Sequence, residues 1–351
     1  MKTAIDQIPV ELIFNPNWWF HNYGISFDES FYFDKNARIK NDIVMRRAMH
    51  QRFRVGEENH QPRPIIGSMH VAGGFVIPAL FGAEIRFAKN EAPWPVALNL
   101  SKEDILAIEV PDIKTTWPMD CLIEDMDALE DEFGYVVGDI DTDGIFNTAL
   151  CLRGQQLLID LVEDVDLVHH LFAILAETYV VVADYMKSRT GTCAIATNRS
   201  ILNVDPQIYV HSNCSVQMVS PTTYEEFLLP YELYLAERLQ PYGIHHCGRN
   251  LHIFVEAYSK VPAMFYDVGW ESDVAKCRKA FPDAFLNLRL SPIRMLQQTP
   301  DEIRKDTEQL LMAIGSPENV GVCCINMDYA TPDENVLSIL EVAESFYESN
   351  A

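Results

Sequence analysis

Along most of the chain, short apolar runs alternate with stretches whose apolar positions recur every three to four residues. The first pattern reads as buried strands and the second as amphipathic helices. Eight runs carry the strand pattern, at 64–70, 135–140, 192–197, 215–219, 242–247, 264–268, 284–288 and 320–325. Helical patterns cover 36–54, 101–108, 120–132, 166–188, about 221–239, 273–280 and 299–314. A last helix opens at Thr331-Pro332-Asp333-Glu334. There Thr serves as N-cap, Pro takes the first turn and Glu closes the capping box. Strands followed by helices predict an α/β fold, here a (β/α)8 TIM barrel of parallel strands over residues 64–351. Residues 75–132 read as an irregular insertion. Residues 1–63 do not follow the repeat. They carry Trp18-Trp19-Phe20 and Phe31-Tyr32-Phe33 and predict an aromatic and helical N-terminal extension. It would cap one end of the barrel or pack across its bottom.

A barrel places its site at the carboxyl ends of its strands. The run Tyr242-Gly243-Ile244-His245-His246-Cys247-Gly248 ends one of them. Side chains alternate along a strand, so His245 and Cys247 share a face and His246 takes the other. An imidazole and a thiol on one face can hold zinc together. The plainer alternative is a His and a Cys that pack as core. The last strand brings Cys323-Cys324 to the same mouth. Neighbours face opposite ways, so one of the two can join, and the alternation leaves open which. Three ligands and one vacant position is the form of a catalytic zinc site. Asp139, Asp141, Asp267 and Glu271 fall at or just past strand ends. Each could orient a ligand His, act as general acid, or simply cap a helix. Asn213 and Gln217 are candidate substrate-binding residues. His70 reads as a packed histidine, and His169-His170 sit within a helix.

Composition narrows the functions. Lys and Arg number 27 against 51 Asp and Glu, a formal charge of −24. Nucleic-acid binding needs clustered basic residues and is disfavoured. The eight Cys are scattered, unlike a disulfide-stapled secreted domain. The N-terminus has no apolar signal-like stretch, and no uninterrupted run reaches eighteen apolar residues. A cytoplasmic protein is expected.

The segment His245-His246-Cys247-Gly248, the Ser220-Pro221 and Glu226-Phe227-Leu228-Leu229-Pro230-Tyr231 stretch, and the ending Cys324…Thr331-Pro332-Asp333-Glu334-Asn335 together resemble the uroporphyrinogen decarboxylase superfamily. The closer resemblance is to its corrinoid-dependent methyltransferase branch, which includes methylcobamide:coenzyme M methyltransferases and O-demethylase components. That resemblance implies zinc bound by His245, Cys247 and Cys324. It also implies methyl transfer between a small molecule (a methyl ether, thiol or pterin) and cobalamin. The chain shows no D-x-H-x-x-G corrinoid motif of its own, so the cobalamin would arrive on a partner corrinoid protein. The pattern departs from the branch near residue 213, where an acidic residue is expected and His211-Ser212-Asn213-Cys214 stands. A tetrapyrrole with many carboxylates needs a basic pocket, and near the mouth the sequence offers Arg199 and Arg249. The alternatives are a decarboxylase or lyase acting on a smaller acid, and a non-catalytic barrel subunit.

Overall fold

Apolar runs separated by helices pair in parallel, because a parallel neighbour can be reached only through a long crossover. The computed structural model describes residues 7–56, 61–67, 73–192, 204–205 and 207–350. Its strands are β1 (Val10–Phe14), β2 (Ile65–Gly67), β3 (Ile85–Ala88), β4 (Glu91–Pro95), β5 (Val137–Asp139), β6 (Tyr209–Ser212), β7 (Tyr242–His246), β8 (Ala263–Val268), β9 (Phe285–Arg289) and β10 (Val320–Met327). Six form one parallel sheet in the order β1-β10-β9-β8-β7-β6. β2 and β5 form a second parallel pair. β3 and β4 are an antiparallel hairpin within the 75–132 insertion. The protein is therefore an α/β fold with a parallel sheet.

The two faces of the large sheet differ in chemistry. Ile244, Tyr266, Leu286, Leu288, Val322 and Cys324 join the main core. On the opposite parity, His245 pairs with Asp267 and Asp267 with Asn287 in register. All three are buried. Two small apolar clusters share that second face, Ile208-Val210-Phe265-Phe285 and Ile13-Cys323-Ile325. Buried polar groups must find partners, so a row of His, Asp and Asn across three strands marks where the chemistry sits.

One expected strand lies elsewhere than the pattern predicts. The run 215–219 is not a strand. Ser215–Met218 is a turn of 3-10 helix, and the strand before it is Tyr209–Ser212. Polar-apolar alternation in Ser215-Val216-Gln217-Met218 imitates a strand. The ladder has already ended, with the Asn213 N–H donating to the His245 carbonyl at 2.7 Å. The expected strand at 192–197 and His70 and Arg199 lie outside the described residues, apart from Thr192. In addition, Val10–Phe14 in the N-terminal segment is a sheet strand, paired in parallel with β10 as Glu11↔Cys323 and Leu12↔Cys324.

The aromatic segment continues from the carboxyl end of β1. Phe14 stacks on Trp18 at 4.0 Å, and both tryptophans are fully buried. Helix Lys35–Phe53 starts at Asp34, whose carboxylate accepts from the N–H groups of Asn36 and Ala37. From this helix the buried Arg38 donates to the carbonyls of Ile65 and Tyr32 and to Asp125, at 2.6 to 2.7 Å. These bonds tie the first fifty residues to β2. Helix Val165–Thr190 is long and apolar enough to cross a membrane, but 56% of its most apolar window is buried inside the protein. It packs against β5 and the helix Leu229–Arg238, as a core helix does.

Candidate metal centre

β7 ends in His245-His246 and delivers the imidazole of His245 and the thiol of Cys247 to the polar face. The loop after β6 adds Cys214. The ligand atoms of Cys214, His245 and Cys247 lie within 4.8 Å of one another, close enough for one ion to reach all three. His245 Nδ1 stands 2.5 Å from Asp267 Oδ2, and Asp267 Oδ1 accepts from the amide of Asn287 at 2.8 Å. Burial opposes a charged imidazole here, but the bonds to Asp267 and Cys247 prevail and lift the His245 pKa to about 9. With Nδ1–H held by Asp267, Nε2 is the nitrogen that faces the thiols, and a metal bound there would displace its proton. This is the carboxylate–histidine arrangement of zinc sites.

The two thiols divide their roles. A bond from Cys214 is the largest influence on Cys247, and the bond from His245 adds to it. Together they overcome burial and hold Cys247 well below the usual thiol range. Cys214 is pushed up, first by its bond with Cys247 and then by burial. Cys247 is therefore the ready thiolate, and a cation would draw the second proton off Cys214. Two thiolates and a neutral imidazole match the ligand chemistry of zinc.

Of the residues expected at the centre, Cys324 is a correction. Register places Cys323, not Cys324, on the polar face, opposite Arg289. Cys324 points into the main core, its thiol toward the Leu290 carbonyl at 3.8 Å. Cys323 is on the polar face, with its sulfur 4.0 Å from Asp267 Oδ1. Neither belongs to the three-residue cluster. Cys214 was missed because it sits on a loop, where no periodicity points to it.

Asn213 is buried and donates to Glu232 Oε2 at 2.9 Å. Glu232 also accepts from Tyr224 at 2.8 Å, Tyr242 at 2.7 Å and His211 at 3.1 Å. Burial raises the Glu232 carboxyl, but these partners prevail and hold it below its ordinary value. His211 Nε2 accepts from the N–H of Ile145 at 3.0 Å, so Nδ1–H is the donor to Glu232. This network fixes the loop that carries Cys214. Asn213 acts through it, and its amide nitrogen is committed to Glu232. Gln217 is exposed on the adjoining turn, its side-chain oxygen beside Gly248. His246 faces away, bonded to Tyr258 at 2.9 Å and Asn250 at 3.3 Å, and burial lowers its pKa to about 4.

Among the strand-end carboxylates, Asp267 is the one bonded to a ligand His. Asp141 is committed to a turn, accepting from the N–H groups of Gly73 and Asp143. Glu271 faces Arg249 at 3.6 Å, both exposed. The informative acid is Asp143, which the sequence reading passed over. It holds a left-handed backbone conformation, φ 61°, unusual for a residue other than Gly. Burial and then Asp141 raise its pKa to about 7, while the charges of His245 and Cys247 act on it directly. Arg289 was also missed. It lies at the end of β9, two residues from Asn287 on the polar face, and is buried.

Residues 71–346 match the family model for uroporphyrinogen decarboxylase. A solved methyltransferase from Methanosarcina mazei is similar over 98% of this chain and 95% of its own, at 16% identity and a TM-score of 0.69. A B12-independent methionine synthase from Shewanella sp. W3-18-1, solved with selenomethionine, covers 98% of each chain at 10% identity and a TM-score of 0.52. At these identities the likeness is one of fold. No curated protein sequence matches the chain.

Proposed function

The chain belongs to the uroporphyrinogen decarboxylase family, and on that premise we propose that it is a zinc-dependent methyltransferase. It moves a methyl group between a heteroatom of a small molecule and the cobalamin of a separate corrinoid protein. The two parallel sheets are then parts of one barrel wall, with the polar face inside. The observation that carries this reading is the set Cys214, His245 and Cys247 with Asp267 behind the imidazole. A porphyrinogen decarboxylase has no need of two clustered thiols, whereas methyl transfer to or from oxygen, nitrogen or sulfur gains from a Lewis acid. Bound there, zinc would polarise that heteroatom or hold a thiol as thiolate near neutral pH.

The chain's own residues supply the rest. Asp267 keeps His245 in one tautomer. The Glu232 network holds the Cys214 loop in place. Asp143 retains a proton near neutral pH. In the direction that methylates cobalt, the heteroatom–methyl bond would break as the methyl passes to the partner's cob(I)alamin, and Asp143 would give its proton to the released heteroatom. The opposite direction returns it. Methyl ethers, thiols and pterins all fit this scheme.

The test is zinc analysis of the purified protein followed by incubation with cob(I)alamin and candidate donors. Conversion of the cob(I)alamin spectrum to that of methylcobalamin, lost in Cys247→Ala, is the expected result. Carbon dioxide release from an acid substrate by zinc-free protein would establish the decarboxylase reading instead.

A further inference from the structure

Arg289 is 7% exposed, and its Nε and Nη1 have no hydrogen-bond partner among the described residues. A buried guanidinium with open donors is costly, and native proteins rarely leave such groups unfilled. It lines a cleft of about 340 Å³ together with Trp270, Ser272, Ser291, Arg294 and Asp306. It also lies within the electrostatic reach of Cys323, Asp267, Cys247 and Cys214. Arg289 thus belongs both to the cleft and to the sheet face that carries the thiol cluster. Arg294, by contrast, is occupied by Asp306 at 2.9 Å.

We propose that Arg289 is the substrate's anion-recognition residue, so that the small molecule handled at the thiol cluster carries a carboxylate. The proposal deepens the methyltransferase reading and rests on it for the identity of the reacting end. Two features favour a single negative charge over a phosphate dianion. One guanidinium is open, and the acidic side chains of Glu271, Asp273 and Asp306 share the cleft. A carboxylate matches a guanidinium in shape and gains a charge-assisted bond. The substrate would lie with its carboxylate on Arg289 and its heteroatom toward Cys247. Among the described residues the cleft offers Arg289 and the already paired Arg294, too few cations for a porphyrinogen with a carboxylate on every arm.

Four probes separate this proposal from the metal reading on which it rests: 3-mercaptopropionate, 2-mercaptoethanol, propionate and 1-propanol. Each is titrated calorimetrically into protein supplied with one equivalent of zinc. The carboxylate preference, 3-mercaptopropionate over 2-mercaptoethanol and propionate over 1-propanol, reads Arg289. It is expected to be about tenfold. The thiol preference, 3-mercaptopropionate over propionate, reads the metal. Arg289→Met should abolish the first preference and keep the second, Arg289→Lys should restore part of the first, and Cys247→Ala should do the reverse of Arg289→Met. Equal affinity of the parent protein for each carboxylate and its neutral counterpart would overturn the proposal. So would a carboxylate preference that survives Arg289→Met. Loss of the thiol preference alone would overturn the zinc reading and leave Arg289's role standing.

Discussion

His245 and Asp267 face each other from adjacent parallel strands, the imidazole Nδ1 2.5 Å from a carboxylate oxygen. The register that aligns β7 with β8 makes this contact, and the contact turns Nε2 toward Cys247 and Cys214. Asp267→Asn keeps the shape and removes the charge that holds the tautomer. Zinc affinity, measured by competition with a chromophoric chelator, should fall by about 10–100-fold. The thermal unfolding midpoint should also fall at neutral pH, where the Asp267 bond holds the imidazole charged, and by less as the pH rises through about 9. Unaltered affinity would mean that Asp267 does not orient the ligand.

The cysteines give a second prediction, because they occupy different environments. Cys214→Ala should abolish stoichiometric zinc binding in the otherwise folded protein. Cys324→Ala should leave zinc bound and lower stability by about 1 kcal/mol, as for an ordinary core truncation. Metal content and urea denaturation of the two variants, side by side, check both halves.

How far the sequence discloses this arrangement depends on which physical signal each residue carries. Strand alternation alone puts His245 and Cys247 together and His246 apart, and the structure arranges them so. The same alternation says that Cys323 and Cys324 diverge but not which turns inward. Register with β9 decides that, and register is a property of two strands, invisible in one. Cys214 sits on an irregular loop, where no period operates. β1 was hidden because Glu11 interrupts an apolar run set among aromatic residues, and because its partner β10 lies about 310 residues away. Arg289 was legible in principle. An arginine in phase with Asn287 and closing an apolar strand is out of place unless something pairs with it.

Glu232 yields a prediction on stability. Its carboxylate gathers donors from His211, Asn213, Tyr224 and Tyr242 in a fully buried position. Glu232→Ala strands all four, and should destabilise the fold by about 3–5 kcal/mol. Its folded-state pKa is depressed, so its contribution is present above the ordinary glutamate range and is lost as the pH falls through the lower, folded value. Chemical denaturation of parent and variant should therefore converge in strong acid. A constant gap down to the lowest pH at which the parent folds would contradict the network.

Asp143 shifts the opposite way. Its pKa in the folded chain is about 7 against 3.8 for the free side chain. Between those values the folded state holds a proton that the unfolded state has lost. Stability from this group is therefore greatest below about pH 4 and declines as the pH rises toward 7. In metal-free protein, Asp143→Asn should remove that slope from the stability profile. In the turnover assay the same variant should lose the fall in cobalt methylation expected above pH 7. An unchanged slope would show that the carboxyl titrates normally.

The N-terminal strand is open to a direct test. Trp18→Ala opens a cavity in a fully buried aromatic cluster and should cost about 3–5 kcal/mol, read from urea denaturation. Removal of residues 1–15 strips β1 from β10 and leaves a bare sheet edge, which should make the protein aggregate. Full solubility and stability after that deletion would show the strand to be dispensable.

Zinc X-ray absorption on the purified protein reads out whether one zinc is held by His245, Cys247 and Cys214. Two sulfur neighbours at about 2.3 Å and nitrogen or oxygen at about 2.0–2.1 Å are expected, unchanged in Cys324→Ala and lost in Cys214→Ala. Absence of zinc, or a sulfur shell that shrinks in Cys324→Ala and survives in Cys214→Ala, would contradict it.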